Sequence, residues 1–322
     1  MLQTAKSFNG MVSAPHHLAS LAGQRVLRDG GNAIEAMIAA ASTIAVVYPH
    51  MNSLGGDNFW LIKEPGKEVI GIDSCGGAAA IADVNYYKKL GYSNIPSRGP
   101  LAALTCAGAV SGWDAALKIS KKNWGGRFSL QRLLEDSIFY AEDGIAVTKT
   151  QANNTKSKLP ELKHISSFEG SFLMNGDSPA EGAKFYQKKL AETLKELSFN
   201  GLDAFYRGKL AKKIASDLES AGSPLRLIDL ERHVARLVTP LSIGISGQIV
   251  CNMPPPTQGL ASLMILGLIN RLEPVEAENS QFVHNIIEAT KIAFKIRDTY
   301  ISDPDYMSVD PKSFLDSQFL DN

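Results

Sequence analysis

The run from Ala33 to Val47 constrains this chain most, because nearly every residue in it is apolar or small. A helix with that pattern has no polar face to offer water and must be covered by protein on all sides. It is too short to cross a bilayer: its apolar part, Ala36 to Val47, is about twelve residues and carries Ser42 and Thr43, where a span needs roughly 20. Pro49 ends it. Wrapping such a helix takes a large core, and 322 residues of which 44% are hydrophobic can build one, as a single large domain or as two of ordinary size.

Charge narrows the function classes. Lys+Arg 33 balance Asp+Glu 33, which leaves no basic field for a phosphate backbone or an anionic membrane, so neither nucleic acid nor membrane is an expected partner. Met1 to Gly10 is polar, with no apolar run after Lys6, so no signal peptide is expected. The expected compartment is the cytoplasm, or the periplasm or exterior if a leader has been removed. Cys75, Cys106 and Cys251 are far apart and show no C-x-x-C spacing, which argues against a disulfide framework or a zinc site.

Helical spacing predicts a helix from His17 that stops at Gly30-Gly31, followed at once by the apolar helix. Leu54-Gly55-Gly56-Asp57 is a glycine turn into a strand at 58–62, and Val69 to Asp73 reads as its pairing strand across Pro65-Gly66. Ser74 to Ala80 is too poor in bulk to pack a core and is expected to be irregular, with backbone close to another segment. Leu130 to Asp143 is amphipathic and ends at Gly144, and Leu210, Ile214 and Leu218 repeat at helical spacing before Gly222. Leu241 to Met253 is β-like, and Leu260 to Leu272 and Phe282 to Tyr300 are predicted helices. With no repeat and no low-complexity linker, residues 1–322 are read without an internal boundary.

Motifs for self-contained chemistry are missing. The six histidines form no H-E-x-x-H, and adjacent side chains such as His16 and His17 point in different directions. Gly55-Gly56 and Gly76-Gly77 do not fit G-x-G-x-x-G, and Ser111 in Gly108-Ala109-Val110-Ser111-Gly112 is one residue out of register for G-x-S-x-G. The residues alone reach a mixed α/β or α+β domain.

Five segments together carry more. Met11 to Pro15 with Leu27-Arg28-Asp29-Gly30-Gly31-Asn32-Ala33-Ile34-Glu35-Ala36 is the first; Tyr48-Pro49-His50 with Leu54-Gly55-Gly56-Asp57-Asn58-Phe59 is the second. Gly108-Ala109-Val110-Ser111-Gly112-Trp113, Phe205-Tyr206-Arg207-Gly208 with Asp229-Leu230, and Met253-Pro254-Pro255-Pro256 complete the set. In order and spacing the chain resembles the large, N-terminal part of the γ-glutamyltransferase family. The resemblance implies an α+β N-terminal-nucleophile hydrolase, a four-layer αββα sandwich shared with a small subunit cut from the same precursor. It implies no cofactor. The nucleophile would be the small subunit's N-terminal threonine, with its own α-amine as base, so this chain would carry no catalytic residue and would be inactive alone. A dimer of such heterodimers is a further expectation.

One departure bears on substrate. Aligning Ile72-Asp73-Ser74-Cys75-Gly76-Gly77-Ala78 with the family's I-D-x-R-E-x-A puts Cys75 where members acting on glutathione carry a carboxylate-clamping arginine, and Gly76 at the glutamate. Cysteine supplies no charge to replace a bidentate guanidinium. The expected substrate is therefore a small amide such as oxamate. Glutathione hydrolysis or γ-glutamyl transfer is the alternative, and a non-catalytic homologue is another. Substrate-binding candidates are Cys75 and Ser74, Arg98 as a replacement cation in its Pro-flanked turn, and His50 just before the glycine turn. The competing readings are a buried cysteine acting as a small hydrophobe, a solvated loop arginine and a packing histidine.

Overall fold

The computed structural model describes residues 4–321, so Met1 to Gln3, the start of the stretch read as leader-free, lie outside the described residues along with Asn322. The helices are α1 (His17–Arg28), α2 (Ala33–Val47), α3 (Val84–Lys89), α4 (Ala109–Asn123), α5 (Leu130–Asp143), α6 (Lys149–Leu162), α7 (Ser166–Phe172), α8 (Lys188–Asn200), α9 (Lys209–Ala221), α10 (Leu227–Glu231), α11 (Gly259–Ile269), α12 (Ser280–Tyr300) and α13 (Ser317–Leu320). The strands are β1 (Asn58–Ile62), β2 (Ile70–Ser74), β3 (Ile145–Ala146), β4 (Lys184–Phe185), β5 (Arg236–Val238), β6 (Leu241–Ile245) and β7 (Gln248–Asn252). Mixed helix and sheet make this an α+β fold. Among the described residues no helix is long and apolar enough to cross a membrane.

Two compact units share the chain: one holds the residues up to Asn58 and Ser74–Ala235, the other Phe59–Asp73 and residues from Arg236 on. Each crossing falls at or inside a strand, which is why no linker composition marks it. In the first unit α2 packs against α1 and α5, and α5 against α8. Ile34, Ala36, Ile38, Ala39, Ala40, Ala45, Val46 and Val47 are buried, as the apolar pattern demands, and of that helix only its first residue, Ala33, and Met37 are exposed. Burial of each large apolar side chain is worth about 1.5–3 kcal/mol, so this helix anchors the unit.

The start of α2 shows why its one charge is tolerated. Asn32 accepts from the Ile34 and Glu35 N–H groups at 3.0 Å, and Glu35 Oε2 accepts from the Asn32 N–H at 3.0 Å, a reciprocal cap. The other carboxylate oxygen accepts from the Arg127 and Phe128 N–H groups, both at 2.8 Å. Glu35 is buried because three backbone donors replace its water.

In the second unit β1, β2 and β5 form a sheet in that order, with β5 antiparallel to β2 in the register Gly71↔Val238, Ile72↔Leu237 and Asp73↔Arg236. The segment from Leu241 to Met253, read as one β-like run, is a hairpin: β6 and β7 pair antiparallel around Ser246 and Gly247, whose φ angles are 48° and 77°. A two-residue turn with both φ positive matches the twist of the strands it joins. Leu241, Ile243, Leu260, Leu263, Met264, Ala293, Phe314 and Leu320 form the core beneath it.

Candidate acyl-binding site

Three segments of the first unit interlock around Cys75: the turn 54–57, the irregular stretch 74–79, and the approach to α4 at 104–111. Glycine makes this possible. A Cβ on Gly76 would lie 1.6 Å from the Cys106 carbonyl oxygen, and one on Gly108 would lie 1.6 Å from that of Ser74. The Gly108 and Ala109 N–H groups donate to the Gly56 carbonyl at 2.9 and 2.8 Å, Cys106 N–H to Gly77 at 3.0 Å and Ala79 N–H to Leu104 at 2.8 Å. Asp57 accepts from the Gly76 N–H at 3.3 Å. The expectation of close backbone contact at 74–80 is met here.

Side chains then close the assembly. Ser74 Oγ lies 2.6 Å from the Gly108 carbonyl oxygen and 2.5 Å from Ser111 Oγ, which lies 2.8 Å from His233 Nε2. Tyr206 accepts from the Ser111 N–H and donates to the Ala107 carbonyl, both at 2.9 Å. Burial pushes the Tyr206 phenol well above its ordinary pKa, so it remains a donor at any working pH. Asp229 accepts from the Ala80 N–H at 2.9 Å, and Arg232 donates to the Ala78 carbonyl at 2.7 Å. Cys106 is buried and its thiol is pushed up to about 12, by burial first and by the Asp229 charge second, against the pull of Arg232. It is an inert wall.

The four site candidates are not all brought together. Cys75 is half-buried at the rim of this assembly, while its neighbour Ser74 is fully buried and spends its hydroxyl on Gly108 and Ser111. His50 lines a cavity of about 370 Å³ with Asn52, Asp57, Asn58 and Trp113 among others. Asp57 thus touches both the His50 cavity and the Cys75 stretch. The His50 ring packs 4.2 Å from that of Tyr48, and neither ring nitrogen has a hydrogen-bond partner among the described residues. Burial lowers its pKa, so the imidazole is neutral near pH 7. Arg98 is committed to a partly exposed ion pair with Glu161 at 3.2 Å. None of the cysteines is in a disulfide, and among the described residues no group of three or more His, Cys, Asp or Glu is disposed to hold a metal.

Ser111, Tyr206, His233 and Asp229 carry the site without standing out in sequence. Their common signal was the motif set: the segments around Ser111, Tyr206 and Asp229 meet at one place. Ser111 and His233 look like a nucleophile and base, but both are buried, so they present no reactive hydroxyl to substrate.

Residues 19–322 match the family model described as Gamma-glutamyltranspeptidase, and the chain belongs to that family. It is 50% identical over 314 residues to the oxamate amidohydrolase proenzyme of Klebsiella pneumoniae, covering 98% of this chain and 59% of that protein. It is 36% identical to the glutathione hydrolase-like YwrD proenzyme of Bacillus subtilis, covering 96% of this chain and 58% of that protein. The chain therefore spans about three-fifths of these relatives' length. Among solved structures, γ-glutamyltranspeptidase of Helicobacter pylori matches with a TM-score of 0.89 at 28% identity, over 99% of this chain and 93% of that chain. Cephalosporin acylase of Bacillus halodurans matches with a TM-score of 0.87 at 30% identity, over 94% of this chain and 57% of that chain.

Proposed function

We propose that this chain is the large subunit of a self-processing amidohydrolase that acts on a short amide such as oxamate. The observation that carries this reading is local: position 75 offers an uncharged thiol, and position 76 is pressed so tightly on Cys106 that it admits no side chain. A glutamate side chain cannot be accommodated at position 76 on this backbone and position 75 supplies no positive charge, so the site is less charged than one built to clamp an α-carboxylate. The 50% identical oxamate amidohydrolase proenzyme supports the same substrate class.

In the proposed reaction a small subunit of the same precursor supplies an N-terminal threonine. Its hydroxyl oxygen attacks the amide carbonyl while its α-amine takes the hydroxyl proton, and that proton leaves with ammonia. Water then cleaves the acyl ester and restores the hydroxyl. This chain contributes the acyl pocket: Cys75 at its wall, His50 as a neutral polar group in the cavity that shares Asp57, and Ser74 from beneath. Exposed Leu237, Ile249 and Ile287 in the second unit are surface the small subunit would cover, and the chain alone would be inactive and poorly soluble.

The full-length precursor, processed and assembled, tests this with oxamate and γ-glutamyl-p-nitroanilide. Higher kcat/KM for oxamate is expected. Turnover of the γ-glutamyl reporter comparable to that of a glutathione hydrolase overturns the substrate assignment; that alternative requires Arg98 to leave Glu161, or a residue of the small subunit to take the clamp's place. An uncut polypeptide without a liberated N-terminal threonine overturns the mechanism and favours a non-catalytic homologue.

A further inference from the structure

From Gly77 to Ala80 the backbone alternates as a strand does, and its two edges are held by different means. On one edge the Gly77 carbonyl accepts from the Cys106 N–H at 3.0 Å and the Ala79 N–H donates to the Leu104 carbonyl at 2.8 Å, an antiparallel bridge that sets Ala78 opposite Thr105. In such a bridge the backbone groups of the intervening residues point the other way. The Ala78 carbonyl and the Ala80 N–H therefore lie on the opposite edge, and there they meet side chains of α10.

The helix supplies what a neighbouring strand would. Arg232 donates to the Ala78 carbonyl at 2.7 Å, and Asp229 accepts from the Ala80 N–H at 2.9 Å. The pair is three residues apart, hence on one face of the turn, and is joined by an ion pair of 2.9 Å. Chemistry fixes the direction of each contact, since a carboxylate accepts and a guanidinium donates. Asp229 is itself anchored: its second oxygen accepts from the Arg226 N–H at 2.9 Å, and its burial is offset by these donors. The same edge leads to the acyl site. Gly76, two residues before Ala78, gives its N–H to Asp57 at 3.3 Å, and Cys75 comes directly before it. Gly76 and Gly77 have no side chains with which to brace the segment, so its placement depends on bonds to its backbone.

We propose that Asp229 and Arg232 are positioning residues of the acyl pocket: standing in for a strand, they hold the outer edge of residues 76–80 and so fix where Cys75 meets the acyl group. The proposal rests on the reading that Cys75 lines that pocket. Its test uses the processed full-length enzyme and the variants Arg232→Ala, Arg232→Lys, Asp229→Asn and Cys75→Arg. Two readouts are taken: amide hydrogen exchange in residues 74–82, which needs no substrate, and KM against kcat for oxamate.

The Arg232 side chain is half exposed, so Arg232→Ala is expected to fold and process. It is expected to speed exchange in 74–82 and to raise KM about tenfold with kcat within about twofold, as loss of a charged hydrogen bond and of uniform binding does. Arg232→Lys keeps a donor for Ala78 and is expected to hold KM within about threefold of the parent. Lysine behaving like alanine overturns the donor role. Asp229→Asn puts an amide nitrogen where one of two accepting oxygens stood and is expected to exceed Arg232→Ala in both readouts. Should it fail to process, Arg232→Ala decides alone: unchanged exchange overturns the proposal, and so does faster exchange with an unchanged KM, which marks a brace without a part in binding. If the parent does not turn over oxamate, the substrate assignment fails, and the clasp is judged by exchange together with iodoacetamide labelling of Cys75. Arg232→Ala is then expected to change that labelling rate at least about threefold, and an unchanged rate overturns the proposal. If Cys75→Arg leaves the oxamate KM unmoved, the reading of the pocket fails and the positioning role with it. If Cys75→Arg raises it about tenfold and Arg232→Ala does not, only the positioning role fails.

Discussion

Helix α4 carries Ser111 and Trp113 two residues apart, on opposite sides of one helix, and the two sides have been built to different standards. On the Ser111 side each buried hydroxyl and carbonyl has its partner, and the backbones of 74–77 and 105–108 lie too close for any Cβ between them at Gly76 and Gly108. On the other side the buried Trp113 N–H and both ring nitrogens of His50 have no partner among the described residues. A buried polar group left unsatisfied costs about 1–3 kcal/mol. The satisfied side is therefore a finished support, while the His50 cavity keeps a cost that only an occupant or a rearrangement relieves. That division suits a site in which one face holds the pocket's shape and the other waits for substrate or partner chain.

The contrast breaks most sharply at its glycines. Gly76→Ala or Gly108→Ala drives a methyl into backbone that cannot yield, and each is expected to cost more than about 4 kcal/mol and to abolish soluble, processed protein. Gly77→Ala, one residue along with nothing within 4 Å of its Cβ, is the control and should process normally. Recovery of processed protein from Gly76→Ala would mean that the interlock is not tight.

A single substitution made on each side sharpens the comparison next. His233→Phe removes the ring nitrogen that hydrogen-bonds Ser111 Oγ and is expected to destabilise by about 2 kcal/mol, read as a drop in Tm. His50→Phe removes two nitrogens that have no partner and keeps a ring against Tyr48, so it is expected to stabilise by about 1 kcal/mol. The same sign at both positions would erase the distinction.

Proton linkage gives a smaller effect on the same residue. Burial holds the His50 pKa below 6.5, so the unfolded chain binds this proton more tightly than the folded one. Stability is thus unaffected by this group well above 6.5 and falls as pH drops through 6.5 toward the lowered value. His16, buried beside Tyr48 and also lowered, by burial and then by His17, adds a fall of the same sign. His50→Phe should flatten, without abolishing, the loss of Tm between pH 7 and 5. A slope identical to the parent's would assign the acid sensitivity elsewhere.

What the sequence makes legible tracks the range of the forces involved. α1, α2, α5 and α12 end within a residue or two of where their glycines, caps and spacing predict, because those signals act over one or two turns. The turn at Ser246 is local too, but a Ser-Gly pair inside an otherwise continuous β pattern is a weak turn signal. The crowding at Gly76 could be foreseen from small residues alone; the partner, Cys106, could not. Glu35 meets its donors 92 and 93 residues away, and Ser111 meets His233 122 residues away. No pattern of spacing reaches that far. The motif set located these residues without their roles, since it marks which segments belong together and not which atom gives a proton to which.

Thiol chemistry offers the finest test, since Cys106 and Cys75 belong to segments that touch yet face different surroundings. Burial and the Asp229 carboxylate keep the Cys106 thiol protonated up to about pH 12, and its sulfur is covered. Cys75 is half-buried at the rim of the pocket it is proposed to line. Brief iodoacetamide treatment of the native enzyme near pH 8, followed by peptide mass mapping, should therefore label Cys75 and spare Cys106, with an expected rate ratio on the order of tenfold or more. Because the label and a bound acyl group would compete for the same space, saturating oxamate should slow modification of Cys75 and leave that of Cys251 unchanged. Labelling of Cys75 that ignores oxamate would detach this residue from the substrate while leaving the buried support beneath it intact.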